Sequence, residues 1–192
     1  MTENTEQQSQ AMEAIKGLIR IIGDDPDRKG IEATPARIVR MWREIFRGYD
    51  PQYKPDITTF ENEAGVSEII MDSGEYYSMC EHHMLPFFGR YYFAYIPSPT
   101  GRILGISKVA RVVGYCAARL QLQERLASDI VNMLSDALGG DALGFAILMK
   151  GKHLCKSMRG IRNDGDMTVA HFTGVFETDP EKRAQFYNMI MC

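Results

Sequence analysis

Met79-Cys80-Glu81-His82-His83-Met84-Leu85-Pro86 places a thiol, a carboxylate and two imidazoles in four consecutive residues. Each of these groups needs a partner once it leaves water, so few folds can take such a stretch inside. A second cluster, Lys152-His153-Leu154-Cys155, lies about 70 residues downstream. Together the two stretches hold three of the chain's four histidines and two of its four cysteines. The expected fold is one that closes the intervening chain and brings both clusters to one metal ion.

Cys80 and His83 are spaced C-x-x-H. On a tight turn or a first helical turn, positions i and i+3 point the same way. His153 and Cys155, at i and i+2, share a face if their segment is extended. Thiolate and imidazole ligands suit zinc. A structural zinc takes four protein ligands, whereas a catalytic one keeps three and an open water position. Cys80, His83 and Cys155 would supply three. Zinc would bring the pKa of a water in the open position to roughly 7. His82 and His153 would then be proton carriers, with an unperturbed pKa of about 6.5. Two other readings stay open. One is a closed zinc knuckle that staples two loops, with a histidine as fourth ligand. The other is that His82 and His153 are core histidines satisfied by backbone groups.

A chain of 192 residues suits one domain, or one domain with an arm. Its net charge of −3 does not suggest a nucleic-acid partner, so any anion site must be local. No apolar run is long enough to span a bilayer. The polar start, up to Gln10, has no signal-peptide core, which points to the cytoplasm. Thiols stay reduced there, so ligand or nucleophile is expected of a cysteine before disulfide. Cys116 and Cys192 lack polar company and are expected as a core residue and a tail residue.

Periodicity gives the expected elements. Met12, Ile15, Leu18, Ile19 and Ile22 mark a helix from Ala11 to Ile22, ended by Gly23-Asp24-Asp25-Pro26. Thr34-Pro35 would start a second helix with an N-cap hydroxyl, and Gly48 would stop it. Ile38, Met41, Trp42, Ile45 and Phe46 form its apolar face, and Arg37, Arg40 and Arg43 the opposite one. A strand is expected over Glu68–Met79, irregular near Ser73-Gly74, and an aromatic-rich one over Phe87–Ile96. Ser107 would cap a helix with Val109, Val112, Val113, Cys116 and Leu120 buried. A helix over Gln123–Leu138, strands over Leu143–Lys150 and Thr168–Phe176, and a terminal helix over Pro180–Met191 complete the order. Paired strands followed by paired helices predict an α+β domain, an antiparallel sheet with helices on one face.

Basic residues recur outside the clusters. Ser107-Lys108-x-x-Arg111 opens a helix, whose free N–H groups attract anions. Met158-Arg159-Gly160-Ile161-Arg162 follows the second cluster. If these converge with Arg37 and Arg40 they would hold a polyphosphate; otherwise they are three unrelated surface patches. Gln121-Leu122-Gln123-Glu124-Arg125 offers an amide and a carboxylate that could read the donor edge of a purine. Its plainer reading is a surface charge pair at a helix start.

Cys80-Glu81-His82-His83, Gly105-x-Ser107-Lys108-x-x-Arg111, Gln121-x-Gln123-Glu124-Arg125-Leu126 and His153-x-Cys155-x-x-Met158-Arg159-Gly160 occur in this order. In these motifs, and over about residues 11 to 190, the sequence resembles GTP cyclohydrolase I. Thr34-Pro35-x-Arg37 is similar to that family's early helix. The resemblance implies the tunnelling fold, in which strands and helices of several subunits close an oligomeric β-barrel. The polar start, residues 1–8 and at most 1–10, is expected to be flexible, followed by a helical arm over 11–65 and a catalytic domain over 66–192. The resemblance also implies conversion of GTP and water to 7,8-dihydroneopterin triphosphate and formate, the entry to folate-type pterins. The assembly implied is a homodecamer of two pentamers, with sites at subunit interfaces.

By the same resemblance the zinc ligands are Cys80, His83 and Cys155, and His82 and His153 are the acid/base groups. Glu124 anchors guanine, with Gln123 beside it, and Ser107 lies on the ribose side. Lys108, Arg111 and Arg159 meet the triphosphate, joined by Arg37 and Arg40 from a neighbouring subunit. The sequence departs from the family's pattern at Arg40, where many relatives have lysine. Ala170-His171 stands in a stretch that is often Ser/Thr-rich, and His171 is expected exposed or interfacial. Lys150-Gly151-Lys152 is more basic and flexible than the pattern. No named catalytic group is lost. Two alternatives remain. One is another tunnelling-fold pterin or deazapurine enzyme, with a three-histidine zinc or a cysteine nucleophile, against which the mixed Cys/His/Cys set argues. The other is a non-catalytic zinc-stapled oligomeric scaffold.

Overall fold

The structure, a computed structural model, describes residues 2–191, with side chains from residue 5. Cys192, expected as a tail residue, lies outside the described residues. The chain divides into two compact units, one up to Arg47 and one from Gly48.

In the first unit, α1 (Thr2–Ile21) packs against α2 (Thr34–Ile45). Helix α1 begins at Thr2 rather than Ala11, since no proline or glycine interrupts the intervening residues. Of the expected apolar stripe, Ile15 and Ile19 are buried, while Leu18 and Ile22 are exposed. Gly23, at φ +89°, ends the helix as predicted. The expected hydroxyl cap at Thr34 is absent. Ala33 holds that place in a helical conformation with no side-chain cap, because the chain already turns at Ile31, whose carbonyl accepts from Thr34 N.

The second unit begins with a glycine that does not stop a helix, since α2 has ended at Ile45. A Cβ on Gly48 would lie 2.4 Å from Tyr115 O and 2.7 Å from Ala118 O, so close backbone approach requires it. In chain order follow β1 (Thr59–Glu61), β2 (Ile70–Cys80), β3 (Pro86–Pro97), β4 (Arg102–Leu104) and α3 (Ile106–Ala117). Next come β5 (Leu120–Gln121), α4 (Gln123–Leu138), β6 (Ala142–His153), α5 (Leu154–Ser157), β7 (Met167–Gly174), α6 (Val175–Thr178) and α7 (Pro180–Met191).

Strands β1 and β4 form a small pair, and the main sheet has the order β5-β2-β3-β6-β7. It is antiparallel except for the short parallel pairing of β5 with the end of β2. The irregularity expected near Ser73-Gly74 does not occur. The β2–β3 register runs without a shift from Ile70↔Tyr95 to Met79↔Pro86. Gly74 instead makes room for the Tyr91 ring, which a Cβ would meet at 2.9 Å, and Tyr91 Oη donates to Asp72 at 2.8 Å.

Alternation in β3 sends Phe93 and Tyr95 to one face and Ala94 and Ile96 to the other. The first face is covered by α3 and α4, through Val109, Val112 and Cys116 and through Leu126, Ile130 and Leu134, all buried. Each large apolar side chain so buried contributes about 1.5–3 kcal/mol. The second face meets Phe176 of α6 and Phe186 of α7. Helices therefore lie on both faces, which corrects the expectation of one. The cause is Gly174, at φ +57°, where a Cβ would lie 2.2 Å from Leu143 O. The chain turns there off the edge strand and back over the second face. The architecture is mixed α+β. Among the described residues no helix is long and apolar enough to cross a membrane.

Candidate active site

The Cys-Glu-His-His stretch leaves β2 at Cys80 and turns at once. Cys80 N donates to Leu85 O at 2.9 Å and Met84 N to Cys80 O at 2.8 Å. Met84 carries a left-handed backbone, φ +51°, which is uncommon for a residue with a side chain and marks a turn held by its surroundings. Part of that hold is Glu81. Its carboxylate accepts from Arg125 of α4, whose Nε also donates to the buried Gln121 at 2.9 Å. Gln121 in turn donates to Asp129 at 2.9 Å and to Cys116 O at 3.2 Å. Arg125 and Gln121, both in the stretch read from sequence as a purine reader or a helix start with a surface charge pair, thus tie the turn to the helical core.

Register brings the second cluster to the first. Phe87, just past the turn, pairs with His153 at the end of β6. The strand then stops and α5 starts at Leu154, so His153 and Cys155 do not share one extended face. They part company: Cys155 turns towards Cys80, and His153 stays with the sheet. Ligand atoms of Cys80, His83 and Cys155 all lie within 4.8 Å of one another. Two thiols and an imidazole at that spacing form a donor set that could hold a metal ion and suits zinc. Burial, and then the neighbouring Cys80 thiol, push the Cys155 thiol above its ordinary range. Cys80 is buried, Cys155 half-buried and His83 exposed.

His82 is exposed beside His83, their ring centroids 6.3 Å apart and nearly perpendicular. Arg159 Nη1 donates to His83 Nε2 at 2.5 Å, which puts its guanidinium at the edge of the Cys/His/Cys cluster. His153 is half-buried and stacked on Phe87, centroids 4.6 Å apart and planes 6° off parallel. Burial lowers its pKa from the ordinary 6.5, with Glu124 pulling the other way. Phe87 is a contact that sequence reasoning missed, since an aromatic strand gives no sign of which ring meets an imidazole. Gln123 is fully buried and its amide is engaged with His153 and two backbone carbonyls. Its side chain is therefore closed to a purine, contrary to its expected place beside Glu124. Glu124 itself is exposed in the first turn of α4.

The remaining expected residues are elsewhere. Ser107, Lys108 and Arg111 lie at the start of α3, Ser107 and Arg111 exposed. Gly105 rather than Ser107 is the N-cap, and no side chain caps the helix. The last turn of α3 is the one near the Cys/His/Cys cluster, since Ser78 Oγ, two residues before Cys80, donates to Ala117 O at 2.7 Å. Helix rise places Ser107 roughly 15 Å further off. Arg37 and Arg40 are exposed on α2 of the first unit. His171 is half-buried on β7, opposite Ile147. Cys116 is fully buried in the core, as expected.

Comparison with known proteins bears on this arrangement. The sequence matches the GTP cyclohydrolase I family over residues 11–191. A GTP cyclohydrolase 1 of Sinorhizobium fredii is 41% identical over 186 residues, covering 95% of this chain and 89% of that protein. One of Thermoanaerobacter pseudethanolicus is 43% identical over 178 residues, covering 92% and 93%. A bifunctional protein, FolKE, of Lactococcus lactis is 37% identical, covering 93% of this chain and 51% of its own length. The chain belongs to the GTP cyclohydrolase I family and is an enzyme of that class.

Proposed function

We propose that the chain is a zinc-dependent GTP cyclohydrolase I of the cytoplasm. It opens the guanine imidazole ring of GTP and, with net uptake of one water, yields 7,8-dihydroneopterin 3'-triphosphate and formate, the first step toward tetrahydrofolate-type pterins. The observation that carries this reading is the approach of Cys80, His83 and Cys155 to within 4.8 Å, with two further histidines alongside. Bound there, zinc would supply Lewis-acid activation of water for attack at purine C8.

The chain's own residues supply the rest. C8 is electrophilic once N7 takes a proton, and His82 is the donor. His153 carries protons during ring opening and formate release. Glu124 offers a carboxylate to the guanine N–H donors. Gln123 leaves the substrate-contact set, because its side chain is occupied. Lys108, Arg111 and Arg159 hold the triphosphate, joined by Arg37 and Arg40 from a neighbouring subunit. Ser107 serves proton transfer at the sugar as it rearranges and the amine closes the pterin ring.

Ser107 stands at the far end of α3, roughly 15 Å of helix rise from the last turn, and in this reading a second copy supplies it. The working site is thus completed between subunits of a homodecamer of two pentamers, with residues 11–65 as the helical arm and 66–192 as the catalytic part. The test is incubation of purified protein with GTP, following formate and the fluorescence of the oxidised pterin. Both products are expected, to be lost on chelation and regained with zinc. Cys155→Ala is expected to abolish turnover; a full-rate Cys155→Ala enzyme would overturn the ligand assignment.

A further inference from the structure

Gln123 is fully buried at the start of α4. Its Nε2 lies 2.9 Å from Met149 O and 3.2 Å from Met167 O. Both neighbours are carbonyl oxygens and only accept, so the amide NH2 must face them. The other end of the amide is then fixed: Oε1 faces His153 Nε2 at 2.8 Å. An amide oxygen has no hydrogen to give, so His153 must donate, and the hydrogen of the neutral ring is on Nε2. Stacking on Phe87 holds the plane of the ring. Room for this is reserved by Gly151, where a Cβ would lie 3.1 Å from Gln123 Oε1 and 2.2 Å from Tyr76 Oη.

We propose that Gln123 is a positioning residue that locks His153 in its Nε2–H tautomer, so that every proton His153 exchanges in the reaction passes through Nδ1. The kinetic consequence rests on the reading of His153 as a proton carrier; the tautomer itself does not. A ring free to carry its hydrogen on either nitrogen would present the wrong one for part of the time and lose rate at the proton-transfer step.

The experiment is nitrogen-15 NMR of the zinc-loaded full chain, labelled at its four histidines, with the His153 signals identified by their loss in His153→Ala. The wild type is expected to show Nε2 protonated and Nδ1 bare, a result that depends on no Gln123 variant folding. Gln123→Met, of similar length without donor or acceptor, is expected to show both tautomers. Its kcat should fall about 10–100-fold while KM stays within about twofold. Gln123→Glu, as the neutral acid with its hydroxyl donating to Met149 O, keeps an acceptor facing Nε2 and should recover kcat to within about fivefold of wild type. A wild-type ring protonated on Nδ1 would overturn the proposal. So would a Gln123→Met enzyme with raised KM and intact kcat, which would return the side chain to substrate binding. An Nε2–H ring in a protein that releases no formate from GTP would sink the proposed function and leave the tautomer assignment standing.

Discussion

His153 and Cys155 are two residues apart and face different partners, because the backbone passes from strand to helix between them. The motif spacing was legible in the sequence, and so was the thiol-and-imidazole chemistry. That break in the backbone was not, since Lys152-His153-Leu154-Cys155 reads equally well as an extended segment. Nor was the place of Gln123, because an amide beside a carboxylate looks the same whether it points at a ligand or a buried imidazole. Cys116 was read correctly as core, and it carries a pH prediction. Burial pushes its thiol from the ordinary 9.0 up to about 12. Below about pH 9 the thiol is neutral in folded and unfolded chains alike, and its contribution to stability is complete. Above that the unfolded chain sheds the proton while the folded one keeps it, so stability falls as pH rises towards 12. The slope from this group is at most about 1.4 kcal/mol per pH unit. Cys116→Ala should be less stable than wild type at pH 7 by about 1 kcal/mol. Its thermal midpoint should then fall less steeply between about pH 9 and 11. Parallel midpoint-against-pH curves for the two proteins would contradict this.

At the scale of elements, the central sheet depends on strands that meet without side chains between them. Gly89 of β3 pairs with Gly151 of β6, and a Cβ on Gly89 would lie 1.9 Å from Lys150 O. Gly89→Ala must therefore push the two strands apart, at a cost of about 2–4 kcal/mol. Denaturant unfolding should show it; an unchanged midpoint would mean the strands are not so close. Helix α4 ends on Gly139 at φ +59°, and Gly139→Ala should cost about 1 kcal/mol by the same measurement. Helices α4 and α7 were expected with the boundaries observed, α4 from its apolar periodicity and the glycines after it, α7 from the proline that opens it. The caps at Thr34 and Ser107 were not, because a hydroxyl near a helix start does not say which residue the turn begins on. Helices on the second face were missed for a similar reason: nothing in Thr168–Phe176 marks Gly174 as a corner rather than a strand residue.

At the scale of the molecule, the proposed site draws on residues from more than one copy of the chain. Ile106 is almost fully exposed next to Ser107, a large apolar side chain on the stretch that the proposed site needs from a neighbour. Ile106→Asp should shift the light-scattering mass of the protein to smaller species and lower GTP turnover together. An unchanged mass would remove this end of α3 from the subunit contact. The tertiary claim beneath all of this is that Cys80, His83 and the distant Cys155 share one ion that still has room for solvent. X-ray absorption at the zinc edge tests it most directly. The account predicts two sulfurs at about 2.3 Å, one imidazole nitrogen at about 2.0 Å and one light oxygen atom, with one sulfur lost in Cys155→Ala. A fourth protein ligand in place of the oxygen, or an unchanged shell in Cys155→Ala, would contradict it.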